Sequence, residues 1–438
     1  MNQERYRPAL LLFALFLLFP ATSWAALDPA EQVMADTVSA EKERSIALLQ
    51  ELVEQNSGTL NLAGVEAVAR RLRPELEALG FKVSWKPMAD AARAGHLIAT
   101  HDGAPGGKRL LLIGHLDTVF EPDSPFKGFV RRDDIAEGPG VADNKGGLVV
   151  MLSALRAMHA AGTLEGANIE IILSGDEEDA GAPYAVSRAD LVAAGRRADV
   201  ALDFEGLARE QGRDAGSTAR RSSYDWTLTT HGESGHSSGI FNKLLGYGAT
   251  YELARILDAF RRELPEPDLT FNVGLLGGGQ SVELDAGSSR LAATGKSNIV
   301  PSIAVARGDM RTLSPEQTTR VQAKMRAIVA QHLPGTRAEI DFEDGYPPVA
   351  PSAGNRALLA RLNEVNRDLG LAEMAELDPL QRGAGDIGFV AADVDSLIGL
   401  GIAGNKIHAP GETADLSSLV RQAQRAAILM SRLAHAPR

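Results

Sequence analysis

The sequence predicts an α/β fold, a mostly parallel sheet flanked by helices, interrupted by an inserted α+β unit. Three observations carry this. Compact apolar runs alternate with amphipathic helical stretches through the first half of the chain. After about Gly216 the order becomes β-α-β-β-α-β. Short segments bearing histidine or carboxylates follow apolar runs, at the strand ends where ligands collect in such sheets.

The elements follow in order. Arg5 and Arg7 precede an apolar run over 9–19, and Ser23-Trp24-Ala25 adds small residues after it. That is the pattern of a signal peptide cleaved after Ala25, and the run is too short to span a bilayer comfortably. Export is therefore expected, to a periplasm, with no membrane association after cleavage. Residues 31–55 and 65–79 carry apolar residues at helical spacing, the second stretch stopping at Gly80. Strands are expected at 97–100, 109–113, 169–173 and 200–204, with helices at 147–161 and 184–194. The inserted unit spans 217–346. Strands at 224–231, 269–274, 302–310 and 338–342 and helices at 244–262 and 315–331 give it a ferredoxin-like order. The α/β pattern resumes at 347–438, with helices at 355–369 and 416–435, so 26–216 and 347–438 form one unit.

The bulk numbers agree with two globular units. The chain has 438 residues, more than one core usually holds, with 44% hydrophobic and 23% charged residues. A formal net charge of -12 disfavours nucleic acid as a partner. There is no cysteine, so the chain uses neither disulfides nor thiolate ligands.

Five segments carry the chemistry. His115 and Asp117 stand two apart at a strand end and share a face. A ligating imidazole needs a partner on its other nitrogen, and Asp117 can be that partner. Asp143 lies in a glycine-rich turn before a helix, where it could bridge two cations; taken alone it reads as a helix cap. Glu177 and Glu178 are adjacent carboxylates after a buried strand. If one binds metal, the other can act as general base. Asp203 and Glu205 again stand two apart, and either could be a ligand. His408 sits in a loop near Gly404 and Pro410. Two histidines with several carboxylates suit two zinc ions better than magnesium or calcium, with cobalt or manganese as substitutes.

At these residues the chain resembles the dinuclear-zinc exopeptidase and deacylase family that includes glutamate carboxypeptidase, acetylornithine deacetylase, succinyl-diaminopimelate desuccinylase and aminoacylase. The segments at 114–119, 138–147 and 176–178 carry the resemblance, which covers residues 27–438 and is nearest the glutamate carboxypeptidase branch. It implies a zinc-peptidase-like catalytic domain and an inserted dimerisation domain. It implies that His115 and Glu205 are ligands of separate metals bridged by Asp143, that Glu178 joins one metal and His408 the other, and that Glu177 is the base with Asp117 behind His115. Glu205 is favoured over Asp203 because the family's ligand follows a hydrophobic residue or glycine. The peptide bond after Asp143 is expected to be cis. His236, in Gly-Glu-Ser-Gly-His-Ser-Ser-Gly, resembles the histidine that reaches across a dimer to the oxyanion. Asn298 and Arg311 resemble residues that hold the substrate carboxylate, and Gly383 begins the late loop that contacts substrate. That loop reads Gly383-Ala384-Gly385-Asp386 and lacks the family's hydroxyl residue, which bears on specificity.

The resulting expectation is an exported zinc carboxypeptidase acting on a small peptide or acyl amino acid, with glutamate as a candidate C-terminal residue, working as a homodimer. A dipeptidase or N-acyl amino acid deacylase is the alternative within the class. A catalytically silent periplasmic peptide-binding protein is the alternative outside it.

Overall fold

The computed structural model describes residues 27–285 and 287–438. The expected signal segment, 1–25, lies outside them. Two sheets organise the chain. The larger has six strands in the order Lys82–Met88, Arg93–His101, Asn168–Ser174, Arg109–His115, Val200–Asp203, Ser396–Leu397. The last four are mutually parallel, while the first two pair antiparallel at one edge. The strand over Lys82–Met88 escaped the apolar-run criterion because it is an edge strand with mostly exposed or half-buried side chains.

The central strands are buried on both faces, which is why they read as continuous apolar runs. Side chains alternate. Leu110 and Leu112 enter a core built with Lys145–Ala160 and Leu416–Ala434, and Leu111 and Ile113 enter a second core with Leu191 and Val390. Gly147 lets helix Lys145–Ala160 approach closely, because an added Cβ there would sit 1.9 Å from the Phe204 carbonyl.

The second sheet pairs Tyr224–Gly232 with Ile303–Arg311 and Thr336–Phe342, all antiparallel. Leu275–Gly279 completes it beyond Ile303–Arg311, which is the ferredoxin-like strand order. Helices Gly248–Glu263 and Pro315–Val329 cover one face, and Trp226 meets Phe260 edge-on in its own core.

Several boundaries differ from expectation. The stretch 31–55 is two helices, Pro29–Ala40 and Lys42–Glu54, broken at Glu41, whose carboxylate is drawn to Arg156 Nε at 2.7 Å. The stretch 184–194 is likewise split, at Arg188. The expected strand at 269–274 keeps only Thr270–Phe271, and its ladder resumes at Leu275. The helix expected from 244 begins at Gly248, after a turn in which the Asn242 side chain accepts the N–H groups of Leu244 and Leu245.

Candidate dinuclear metal site

Three of the five chemical segments leave the carboxyl ends of neighbouring parallel strands: His115 and Asp117, Asp176 to Glu178, and Asp203 to Glu205. The other two do not follow strands of this sheet, contrary to expectation. Asp143 and His408 come from turns beside a smaller four-stranded sheet, which pairs Ile135–Glu137 with Thr413–Asp415 and Thr413–Asp415 with Gly404–Asn405. Glu412 ties this sheet to the site. Its carboxylate accepts the N–H groups of Gly140, Ala142 and Asp143 at 3.0, 2.8 and 3.0 Å. The Asp143–Asn144 bond is cis. Asp143 is not a helix cap: Asn144 takes that position, with no side-chain capping bond.

Asp143 stands between the two imidazoles. Its Oδ1 is 3.0 Å from His115 Nε2, and its Oδ2 is 3.0 Å from His408 Nε2. Glu178 Oε2 lies 3.1 Å from His408 Nε2, and Glu205 Oε1 lies 3.9 Å from His115 Nε2. His115 therefore groups with Glu205, and His408 with Glu178. The expectation placed His115 and Glu205 on separate metals; here they lie on neighbouring parallel strand ends, while ligand atoms of His115, Asp143 and Glu178 also lie within 4.8 Å of one another. Lys406 and His408 both take left-handed backbone, φ 53° and 64°, sparsely populated for such residues.

Glu177 also reaches the cluster. Ligand atoms of His115, Glu177 and Glu205 lie within 4.8 Å of one another. Burial, then the charge of Glu205, push the Glu177 carboxyl well above the usual carboxylate range. Burial, then Asp143, raise Glu178 to about 7. Hydrogen bonds to Asp143 and Glu178 push the His408 imidazole up to about 11. Burial opposes the protonated form of His115, but hydrogen bonds to Asp117 and Asp143 hold it well above its ordinary value.

These residues fit a pair of divalent cations. Two imidazoles and several carboxylates converge with no thiolate, a donor set suited to zinc. Glu178 Oε1 is buried with no hydrogen-bond partner among the described residues, a costly state for a carboxylate oxygen that a cation would relieve.

A supporting layer holds the cluster. Asp117, fully buried, lies 3.2 Å from His115 Nδ1 and accepts Thr59 Oγ1 at 2.6 Å. Arg220 Nη1 is 3.3 Å from both Asp203 Oδ2 and Glu205 Oε2, and its Nε donates to the Gly383 carbonyl. Burial, then Glu205, lift the Asp203 carboxyl to about 7. Arg220, Glu412, Arg188 and Tyr346 were not foreseen from sequence.

The remaining predicted residues form two other groups. Arg311 approaches Gly383: its Nη1 is 3.8 Å from where a Cβ on that glycine would sit. His236 and Asn298 are exposed neighbours in the inserted unit, where Ser237 N donates to the Asn298 carbonyl and His236 Nδ1 bonds Ser238 Oγ at 2.8 Å. Neither makes a hydrogen bond to the metal-ligand candidates within this one chain.

A mostly parallel sheet whose strand ends present His115 and several carboxylates, completed by Asp143 and His408 from adjoining turns, is the architecture of a metal-dependent hydrolase. The chain belongs to peptidase family M20/M25/M40, whose model matches residues 111–432. It is 26% identical over 410 residues to carboxypeptidase G2 of Pseudomonas sp. (strain RS-16), covering 91% of this chain and 92% of that protein. It is 31% identical over 201 residues to a succinyl-diaminopimelate desuccinylase of Leptothrix cholodnii, covering 44% of this chain and 51% of that protein. A crystal structure of a dinuclear metal binding peptidase of the M20 family from Bacillus subtilis superposes with a TM-score of 0.62 at 17% identity, covering 90% of this chain and 99% of that one. The chain is thus a metallopeptidase or amidohydrolase in class.

Proposed function

We propose that this chain is an exported zinc exopeptidase of carboxypeptidase type, which hydrolyses the amide bond beside a C-terminal amino acid. The observation that carries the reading is the site itself: His115, Glu205, Asp143, His408 and Glu178 face one another, and Glu177 is left over beside them. When bound there, zinc would supply Lewis acidity and a more acidic water.

The chain's own residues supply the rest. The Glu177 carboxylate takes the proton of the attacking water and returns it to the leaving amine nitrogen. Asp117 fixes the His115 ring and so the orientation of its Nε2. Arg311, beside Gly383, offers a planar fork to a substrate carboxylate, and Asn298, in the other group beside His236, offers a side-chain amide to it. The exposure of His236 suits a residue that acts on the site of a second copy, stabilising the oxyanion, so the working form is a homodimer joined through residues 217–346. Export rests on the basic, apolar and small-residue segments at 1–25. Among the described residues no helix is long and apolar enough to cross a membrane. The similarity to carboxypeptidase G2 along nearly the whole chain favours the carboxypeptidase reading, with glutamate the first side chain to test. The shorter similarity to the desuccinylase favours an N-acyl amino acid deacylase as the second reading.

The test is turnover of dipeptides, N-acyl amino acids and benzoyl- or folyl-glutamate by mature protein stripped of metal and then reloaded with zinc. Zinc-restored release of a C-terminal amino acid supports the proposal. Cleavage of N-acyl amino acids alone moves the chain to the second reading. No cleavage of any substrate with zinc bound contradicts both, and favours a silent peptide-binding protein.

A further inference from the structure

The chain passes between the two sheets twice, and the two crossings run side by side. Ser223 and Tyr346 exchange backbone hydrogen bonds at 3.0 and 3.0 Å, and Arg220 and Val349 do so at 3.1 and 2.8 Å. From this paired crossing two side chains enter the site: Arg220, which meets Asp203 and Glu205, and Tyr346, which meets the acidic pair. The Tyr346 hydroxyl donates to the backbone carbonyl of Glu177 at 2.5 Å.

That hydroxyl is itself held. Arg188 Nη2 donates to it at 3.0 Å and also to the Asp176 carbonyl at 3.0 Å. Arg188 Nη1 and Nε bond Asp176 Oδ1 and Asp386 Oδ1, each at 2.7 Å. The Arg188 side chain is 1% exposed and these two carboxylates 0% and 4%, so the network is shielded from water and geometrically exacting. The Tyr346 ring packs edge-on against Tyr184 and Phe389. The Glu177 backbone is thus gripped at both ends: its N–H by Asp117 Oδ1 at 3.0 Å, its C=O by Tyr346.

We propose that Tyr346 is a positioning residue that couples the crossing to the inserted unit with the placement of Glu177. Its hydroxyl bonds Arg188 and the Glu177 carbonyl, so it reaches the cluster through the Glu177 backbone. A change in the angle between the two units must move the crossing, and through the Tyr346 hydroxyl it moves the base. The proposal rests on the reading of Glu177 as general base.

The test is Tyr346→Phe in the full mature chain, loaded with zinc, on the best substrate of the panel. The substitution keeps the ring and removes one hydroxyl. The expected result is a fall in kcat of about 10-fold or more, with KM and bound zinc unchanged, because small misplacements of a reacting group are costly. In a Glu177→Asp background the same substitution adds little, since both changes act on the placement of one carboxylate. Wild-type kcat in Tyr346→Phe overturns the proposal, whether or not the melting temperature falls. A full multiplicative loss in the Glu177→Asp background also overturns it, because Tyr346 then acts elsewhere. Wild-type turnover by Glu177→Asp alone sinks the base assignment and this proposal with it, whereas an impaired Glu177→Asp beside a fully active Tyr346→Phe sinks only the proposal.

Discussion

Asp117 accepts the backbone N–H of Glu177 at 3.0 Å on Oδ1, while its Oδ2 accepts the N–H of Glu178 at 3.0 Å. The same carboxylate contacts the His115 ring, so one buried side chain sets the metal-facing imidazole and the acidic pair together. Asp117→Asn would replace an acceptor oxygen with a donor nitrogen facing an N–H group. The account predicts a loss of about 10–100-fold in zinc affinity or kcat. Metal titration and steady-state kinetics on the same preparation check it.

Arg220 has a comparable place on the other side of the cluster. It stands between the buried Asp203 and Glu205 carboxylates. Arg220→Met would remove the nearer cation from both and leave Arg382 Nη2 4.0 Å from Glu205, a change bounded by the roughly 3–5 kcal/mol that breaking a buried pair costs. Denaturant unfolding checks this, and the loss should be larger in zinc-free protein, where no metal cation offsets the buried charge of Glu205.

Metal removal alone should lower stability. Anything that binds the folded chain and not the unfolded one stabilises it, by about 2.7 kcal/mol at a free concentration one hundred times Kd. A melting temperature that rises with added zinc in a chelator-stripped sample, and does not rise with magnesium, is the expected outcome.

A pH dependence arises outside the metal-ligand candidates. Asp214 bonds Arg425 Nη1 at 2.7 Å and Arg209 Nε at 3.0 Å. Burial would raise its carboxyl, but Arg425 and Arg209 outweigh that and hold it below its ordinary value. A depressed carboxyl contributes stability that is complete above the unfolded value and is lost as pH falls through the folded one. The stability gap between wild type and Asp214→Asn should therefore be full at pH 7 and shrink once pH drops below 3.8, the ordinary aspartate value. Unfolding curves of both proteins across that range test the sign.

Much of this was legible in the sequence because its signals are local. The central strands announced themselves as apolar runs buried on two faces, His115, Glu177, Glu178 and Glu205 lay in short motifs at their ends, and Asp143 lay in a glycine-rich turn. The long-range partners carry no such mark. Tyr346 reaches Glu177 across 169 residues, and Glu412 reaches Gly140 across 272. A tyrosine before two prolines, or a glutamate after a glycine, looks the same whether it faces solvent or a buried backbone. The break at Glu41 was hidden for the same reason, since helical spacing runs through it and its partner is Arg156. The pairing of His115 with Glu205 depended on strand order, which spacing along the chain does not encode.

The central claim is that Glu177 moves the proton at a site whose metals are held by other residues. The most direct measurement is turnover by Glu177→Gln together with its bound metal, determined on the same sample. The account predicts a loss of about 10²–10⁴-fold in kcat, the usual range for removing a general base, with zinc content equal to wild type. Turnover near the wild-type rate, or loss of the metal along with activity, would contradict it.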